Sequence, residues 1–449
     1  MTFQRYRQEA AATLRLGAPL IAAQLAQISM GFVDSVMAGR LSPRDLAAVA
    51  VGANISWPIS FLWFGVLIAV SPSVAHLYGA GDRERIGHCV RQGLWLTVIM
   101  GVGAFFSLRN AHHFLGWAGI PAELVPTTTG FLRAVAWGAP GLCAYQTLRS
   151  YSEGTSMTRP VMYTSIAALA ANIVGDYVLM YGKFGLPRLG AIGCGVASAI
   201  VMWLSAGTML ICILTLKHYE GDRIFSKFEG PHWPEIRSLL RLGVPMSMGW
   251  FMEASLFGAV ALLMGRMGTM VVAGHQIAVN VASITFMIPL GLSMAITVRV
   301  GQAMGRKDMD SARAAGFTGI SLAGAFMAIC GLCMFTLPDL ITRIYTNDPA
   351  VRQMAVTLLF MAALFQISDG LQVSAAGALR GLKDTKIPMF ITVIAYWLMG
   401  MPLGYTLGIV LGGGAKAVWI GLICGLTAAA VLLNSRFYFL TRRSTLNIV

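Results

Sequence analysis

The chain has few charged residues for its length. Of its 449 residues, 12% are Asp, Glu, Lys or Arg and 56% are hydrophobic, whereas soluble domains carry about 25% charged residues. A soluble fold of this size cannot hide so much apolar surface. Uncharged runs of the length that crosses a bilayer, roughly 20 residues, recur along the sequence. The clearest are 46–75, 189–216, 267–298, 314–338 and 387–415.

The chain also lacks the motifs of ATP-driven pumps and metalloproteases. It has no G-x-x-x-x-G-K-[ST] and no H-E-x-x-H, so neither a phosphate-binding loop nor a helical zinc site is expected. The seven cysteines fall mostly within predicted spans, where apolar packing explains them without disulfides. The first apolar stretch, 16–39, is too long for a signal-peptide core and is predicted to be the first span. We expect no cofactor and no enzymatic activity.

The basic residues are distributed unevenly. A net charge of +14 is compatible with nucleic-acid binding, but Lys and Arg of membrane proteins normally collect in cytoplasmic loops. With the N-terminus inside and twelve spans, 23 of the 33 Lys and Arg fall on the cytoplasmic side. The bias predicts a multi-pass protein of the cell inner membrane with both termini in the cytoplasm and no nucleic-acid partner.

The two halves of the sequence repeat one pattern. A shift of 226 positions aligns Leu-Arg-Leu-Gly at 14–17 with the same four residues at 240–243. It also pairs Pro19 with Pro245 and, without a gap, Asp82 with Asp308. Two halves with an even number of spans each have the same orientation in the membrane, and such parallel repeats are a transporter architecture.

We therefore predict an all-α integral membrane protein with twelve transmembrane helices in two six-helix repeated lobes. The predicted boundaries are 1–216 for the N-lobe with helices 1–6, 217–241 for a cytoplasmic linker, and 242–449 for the C-lobe with helices 7–12. The linker is the longest polar stretch and contains a cluster of Gly, Pro and charged residues at 229–234.

Four of the 19 acidic residues lie within predicted spans, namely Asp34, Asp176, Glu253 and Asp369. A carboxylate at such a position is costly, faces an interior or a watery cavity, and indicates function. The alternatives to a functional role are an ion pair with a neighbouring Arg or a position nearer the membrane–water interface. The other fifteen lie in or beside connections, where we expect solvated charges.

Helical geometry groups these acids into two clusters. Glu253 and Asp369 are predicted at similar height, about 17 Å from the cytoplasmic ends of helices 7 and 10. Asp34 and Asp176 are predicted in the outer half of the first lobe, with Asn172 one turn before Asp176.

Further polar residues are predicted around the two clusters. Gln27 lies on the same helix face as Asp34, and the repeat pairs it with Glu253. Gln366 and Gln372 form a stripe with Asp369. On helix 8, His275, Gln276 and Asn280 either line the second cluster or form hydrogen-bonded packing between helices.

Several of these features resemble the multidrug and toxic compound extrusion (MATE) family, and most closely its NorM branch. They are the predicted twelve-span repeat, Pro19 and Pro245, the segment Val-Asp-Ser-Val-Met-Ala-Gly-Arg at 33–40, and Arg-Gly-Leu-Lys-Asp-Thr at 380–385. The similarity covers nearly the whole chain. It implies two six-helix lobes in a V around a central cavity, which exchange drugs for sodium ions or protons.

The resemblance also implies roles for particular residues. It implies second-lobe cation ligands, with sodium bound by Glu253 and Asp369, and a proton- and drug-binding cluster of Asp34, Asn172, Asp176 and Gln27 in the first lobe. Some relatives have a Tyr on helix 8 where Phe286 stands. The face of a Phe ring still attracts a cation, but it offers no hydroxyl ligand.

The predicted function is a multidrug efflux antiporter that exports organic cations and amphipathic drugs. Sodium is the favoured coupling ion, and protons are the alternative because Asp34 beside Asp176 suits a proton site. A flippase of lipid-linked sugars is the second interpretation, but it predicts a strongly cationic cavity. A membrane-embedded enzyme that uses paired carboxylates is the third. A monomer is expected.

Overall fold

The computed structural model describes residues 3–113, 115, 121–222 and 224–443, and these are almost entirely helical. The chain ends, predicted to be cytoplasmic, include residues 1–2 and 444–449, which lie outside this description. Short helices occur at Lys217–Asp222 and Pro338–Tyr345. The long helices are α1 (Phe3–Leu41), α2 (Pro43–Ala80), α3 (Arg83–Arg109), α4 (Val125–Gly154), α5 (Arg159–Tyr181), α6 (Ala191–Thr215), α7 (Trp233–Gly265), α8 (Thr269–Gly305), α9 (Met309–Thr336), α10 (Pro349–Gly381), α11 (Lys386–Val410) and α12 (Gly414–Arg443).

Most of these helices can cross a membrane. Within the described ranges, 11 are long and apolar enough to do so. The remaining long helix, α4, has 30 residues but contains Arg133, Arg149 and Glu153, which lower its hydropathy. The predicted all-α, multi-pass fold is confirmed.

The internal repeat is visible in how equivalent helices begin. Asp82 precedes α3 and accepts a hydrogen bond from the backbone N–H of Arg85 at 3.1 Å. Asp308 precedes α9 and accepts one from the backbone N–H of Ser311 at 2.9 Å. Such carboxylate caps satisfy N–H groups that the first helical turn leaves unpaired. Two residues that the repeat pairs, Asp82 and Asp308, therefore cap equivalent helices.

The chain forms two compact units, Ala22–Trp250 (the first unit) and Met1–Ile21 with Phe251–Val449 (the second unit). The chain passes from one unit to the other within α1 and within α7. The lobe boundaries at 216/217 and 241/242 remain a prediction from the repeat.

Each unit contains the same helix contact, which is made possible by glycine. In the second unit, a Cβ on Gly17 of α1 would stand 2.9 Å from Leu292 of α8. In the first unit, a Cβ on Gly243 of α7 would stand 2.2 Å from the carbonyl oxygen of Val66 on α2. Both glycines belong to the repeated Leu-Arg-Leu-Gly segment, so the repeat specifies this close packing of helices.

The linker between α6 and α7 is held to α3 in the first unit. The Glu229 carboxylate accepts a hydrogen bond from Arg91 at 2.8 Å and lies 2.7 Å from Nδ1 of His88. These two neighbours lower the pKa of Glu229 to about 2. The indole N–H of Trp95 donates to the carbonyl of Glu229 at 2.9 Å. Both the side chain and the backbone carbonyl of Glu229 therefore attach the linker to α3.

Helix α7 begins at Trp233, so residues 233–241 of the predicted linker are helical. Proline is tolerated in the first turn of a helix because its missing N–H has no partner there in any case. Pro234 therefore marks the start of the helix, although the surrounding Gly and Pro residues are typical of a loop.

Two acids that were expected to be solvated are buried. Glu153 on α4 is 4% exposed and Asp222 is 2% exposed. Glu153 lies one turn after Arg149, whose Nε donates to it at 2.7 Å and whose Nη2 donates to Gln24 at 2.8 Å. Asp222 accepts a hydrogen bond from the hydroxyl of Tyr151 at 2.7 Å. The expectation for these two acids was wrong because each has buried hydrogen-bond donors.

Replacing Arg149 by Met should destabilise the protein by about 3–5 kcal/mol, because it leaves the Glu153 charge buried without its partner. The midpoint of thermal unfolding in detergent measures this loss. The double variant Arg149→Met/Glu153→Gln should recover most of the stability. As a control, Arg85→Met removes an exposed partner of Asp82 and should cost at most about 1 kcal/mol. Equal midpoints for Arg149→Met and the parent would contradict this interpretation.

Candidate cation and drug site

Three helices of the first unit bring acidic and polar groups together. Asn172 of α5 donates from Nδ2 to Oδ1 of Asp34 on α1 at 3.0 Å. Ligand atoms of Asp34, Asp176 and Cys194 all lie within 4.8 Å of one another. The sequence placed Asp34, Asn172 and Asp176 in one cluster, and the structure brings them together. Cys194 of α6 was missed, because a cysteine in an apolar helix is typical of packing.

Several acceptors of this cluster have no hydrogen-bond donor. Neither carboxylate oxygen of Asp176 accepts a hydrogen bond from any residue that the structure describes, and the same holds for Oδ1 of Asn172. Asp176 is 0% exposed and Asn172 is 2% exposed. Two carboxylates this close in a low-dielectric interior repel each other strongly if both are ionised. A proton or a cation held between them removes that repulsion.

A cavity of about 160 Å³ opens beside this cluster. Its walls are largely apolar and include three aromatic side chains, and Gln27 and Asp34 both line it. Among the described residues that line it, Asp34 is the one charged side chain. The lining also includes Met30, Trp57, Phe131, Tyr145 and Met202. The cavity combines one carboxylate with aromatic faces, which is the chemistry that attracts organic cations.

The second unit contains a different acidic cluster. Asp369 on α10 is 4% exposed, Glu253 on α7 is half-buried, and the charge of Glu253 acts on Asp369. The charges of both acids also reach Tyr396 of α11. The hydroxyl of Tyr396 is buried and has no hydrogen-bond partner within the described residues. Two carboxylates and a phenol oxygen therefore lie within electrostatic range of one another in the second unit.

The backbone around Tyr396 departs from α-helical geometry. Ile394–Gly400 and Thr406–Val410 of α11 are π-helical. Such wider turns occur often at functional sites. They depend on packing rather than on composition, so Tyr396 could not be assigned to the cluster from the sequence.

A buried arginine lies within electrostatic range of the second cluster. The charge of Arg380 acts on Glu253, and its Nη2 donates to Ser293 at 2.7 Å. Arg380 lies one residue before the end of α10 and is 9% exposed. Its electrostatic role was not expected from the sequence.

The other residues predicted near the second cluster differ in their environment. Gln366 and Gln372 are buried, and the side-chain carbonyl oxygens of both lack a donor among the described residues. His275 accepts a hydrogen bond from Trp419 at 3.2 Å and is 3% exposed, as expected for packing between helices. Gln276 and Asn280 are exposed, and Phe286 is half-buried on α8. The proposed ligand role of Phe286 stays a prediction.

The sequence matches the MatE family in two segments, 19–178 and 245–406. They begin at Pro19 and Pro245, which the repeat pairs, so the predicted duplication is confirmed. The chain belongs to the MatE family, a family of multi-pass membrane transporters.

Individual relatives agree with this assignment. The chain is 41% identical over 447 residues to the multidrug resistance protein MdtK of Yersinia enterocolitica, covering 98% of the chain and 97% of the relative. It is 40% identical to MdtK of Yersinia pseudotuberculosis, covering 98% of both. Both alignments extend over nearly the whole chain, as does the resemblance to the MATE family.

Solved structures show the same fold at low sequence identity. A eukaryotic MATE transporter, AtDTX14, has a TM-score of 0.89 at 19% identity, over 99% of the chain and 100% of that structure. A MOP superfamily transporter from Pyrococcus furiosus, described as having a binding pocket of reverse polarity, has a TM-score of 0.88 at 19% identity, over 97% of the chain and 96% of that structure.

Replacing Asn172 by Ala should lower stability by about 1.5–3 kcal/mol, since it removes a hydrogen bond to a charged group. Thermal unfolding in detergent measures the effect. Asn110→Ala is the matched control, because Asn110 is exposed and donates within its own chain segment to the carbonyl of Phe106. If both variants unfold at the parent temperature, the hydrogen bond to Asp34 does not stabilise the cluster.

Proposed function

We propose that the protein is a multidrug efflux antiporter of the cell inner membrane. It exports organic cations and amphipathic drugs in exchange for sodium ions, with protons as the alternative coupling ion. The observation that carries this proposal is the aromatic cavity of the first unit, in which Asp34 supplies the charge. Alignment over 98% of the chain with proteins named for multidrug resistance supports it.

The lining of the cavity suits substrates that vary in shape. Trp57, Phe131 and Tyr145 offer ring faces to a cation, and Asp34 offers an opposite charge. Met30 and Met202 have flexible, polarisable side chains that adapt to different apolar groups. The cavity therefore selects substrates by their positive charge and apolar surface rather than by one molecular shape.

The second cluster suits a sodium ion. Hard cations prefer oxygen ligands, and Glu253 and Asp369 supply two carboxylates in a partly dry interior. The hydroxyl of Tyr396 and the carbonyl oxygens of Gln366 and Gln372 are buried without hydrogen-bond donors in the described chain. These unpaired oxygens are suitable ligands for a cation.

The first cluster suits a proton or a bound drug. A proton between Asp34 and Asp176 lowers the charge of the cavity, and its loss restores attraction for a cationic drug. In the proton-driven alternative, proton and drug compete for this one carboxylate pair, and the competition couples the two fluxes. We propose a monomer with both termini in the cytoplasm, in agreement with the bias in basic residues.

A flippase of lipid-linked sugars is less compatible with this cavity. A pyrophosphate group needs basic partners, whereas the described lining residues include Asp34 and no Lys, Arg or His. An intramembrane enzyme is also disfavoured, because the family is one of transporters. Transport into vesicles without any hydrolysable substrate separates a transporter from such an enzyme.

Glu253→Gln and Asp369→Asn should each lower the export of a cationic dye at least tenfold, since each removes a charge proposed to bind the coupling ion. Dye efflux from cells or vesicles with matched amounts of protein measures this loss. Glu84→Gln is the control, because the Glu84 side chain is 89% exposed on α3. Export at the parent rate by either well-expressed variant would make that acid structural.

A sodium gradient alone, with no pH difference and no membrane potential, should drive dye export from vesicles containing the parent protein. Asp369→Asn should abolish this response. Parallel vesicles with only a pH gradient test the alternative, in which Asp34 and Asp176 carry the proton. Export that follows the pH gradient and ignores sodium would overturn the sodium assignment and make Asp34 the leading coupling residue.

A further inference from the structure

A second, unrelated groove lies at the end of the second unit where the chain begins. It has a volume of about 500 Å³ and is lined by Tyr6, Arg313, Phe317 and Tyr438. Tyr6 lies near the start of α1, Arg313 near the start of α9 and Tyr438 near the end of α12. The residues of the groove thus belong to helix ends on one side of the membrane.

The guanidinium of Arg313 is held by rings and not by acids. Its Cζ lies 5.8 Å from the ring centre of Phe317 and 5.4 Å from that of Tyr438. Within the described chain, Arg313 forms neither an ion pair nor a hydrogen bond, so its N–H donors remain available. The nearby Asp308 is already bound by Ser311 and Arg5. Among the described residues, the positive charge of Arg313 therefore has no acidic partner.

More positive charge borders the same groove. The Cζ of Arg442 on α12 lies 5.9 Å from the ring centre of Tyr438. Aromatic side chains are enriched at membrane–water interfaces, and basic pockets between helices at such interfaces bind anionic lipid headgroups. A guanidinium matches phosphate geometry with two parallel hydrogen bonds.

We propose that this groove binds an anionic phospholipid of the leaflet that it faces. Arg313 donates to the lipid phosphate, Arg442 adds positive potential, and the rings of Tyr6, Phe317 and Tyr438 pack against the glycerol and the first acyl carbons. The site is separate from both acidic clusters and does not depend on the identity of the exported drug or the coupling ion.

The test measures binding of fluorescent phosphatidylglycerol to the purified, detergent-solubilised protein, with phosphatidylcholine as the neutral lipid. Arg313→Gln should weaken phosphatidylglycerol binding about fivefold, the factor that about 1 kcal/mol represents, and leave phosphatidylcholine unchanged. Arg109→Gln is the matched control, since Arg109 also lies over a ring, that of Phe105, but at the opposite end of its helix. It should bind like the parent.

A second variant and a competition experiment with inorganic phosphate complete the test. Tyr6→Ala changes a side chain that is 38% exposed, so it should fold normally and also weaken phosphatidylglycerol binding at least twofold, even if Arg313→Gln proves unstable. Inorganic phosphate at millimolar concentration should not displace the lipid. Parent-like affinity in the folded variants, equal losses in Arg109→Gln, or full displacement by phosphate would each overturn the proposal, the last in favour of a soluble phosphate ligand.

Discussion

The cost of charge in a membrane interior is the constraint on which this structure depends. A carboxylate there needs a proton, a cation or a buried basic partner. The chain uses different solutions at different places. Glu153 has Arg149 as a permanent partner, whereas both oxygens of Asp176 have no donor among the described residues. The first arrangement suits a scaffold, and the second suits a site whose occupant changes during a transport cycle.

The duplicated sequence uses one scaffold for two kinds of chemistry. Equivalent caps at Asp82 and Asp308 and equivalent close approaches at Gly17 and Gly243 keep the helix packing alike. The acids differ between the copies: the first unit pairs Asp34 with Asp176, and the second pairs Glu253 with Asp369. The repeat therefore preserves backbone geometry while the polar side chains inside it diverge.

Sequence reasoning predicted those features that depend on local spacing. Asn172 and Asp176 share a helix face because they are one turn apart, and intramembrane acids stand out against an apolar background. The span pattern and the shift of 226 positions led to the repeated multi-pass fold. Features that depend on contacts between distant helices were missed. Cys194 joins the first cluster from α6, and Arg380 acts on Glu253 from the far end of another helix.

The π-helical stretches of α11 bear on how the two copies separated after duplication. The equivalent helix of the first copy, α5, has 23 residues, and α11 has 25. An added residue in an ideal α-helix turns everything beyond it by about 100°, which would expose one packed face and bury another. If a wide turn accommodates the added residue locally, the flanking turns keep their register. A span that contains such wide turns can therefore take up an extra residue while the turns on either side keep their packing.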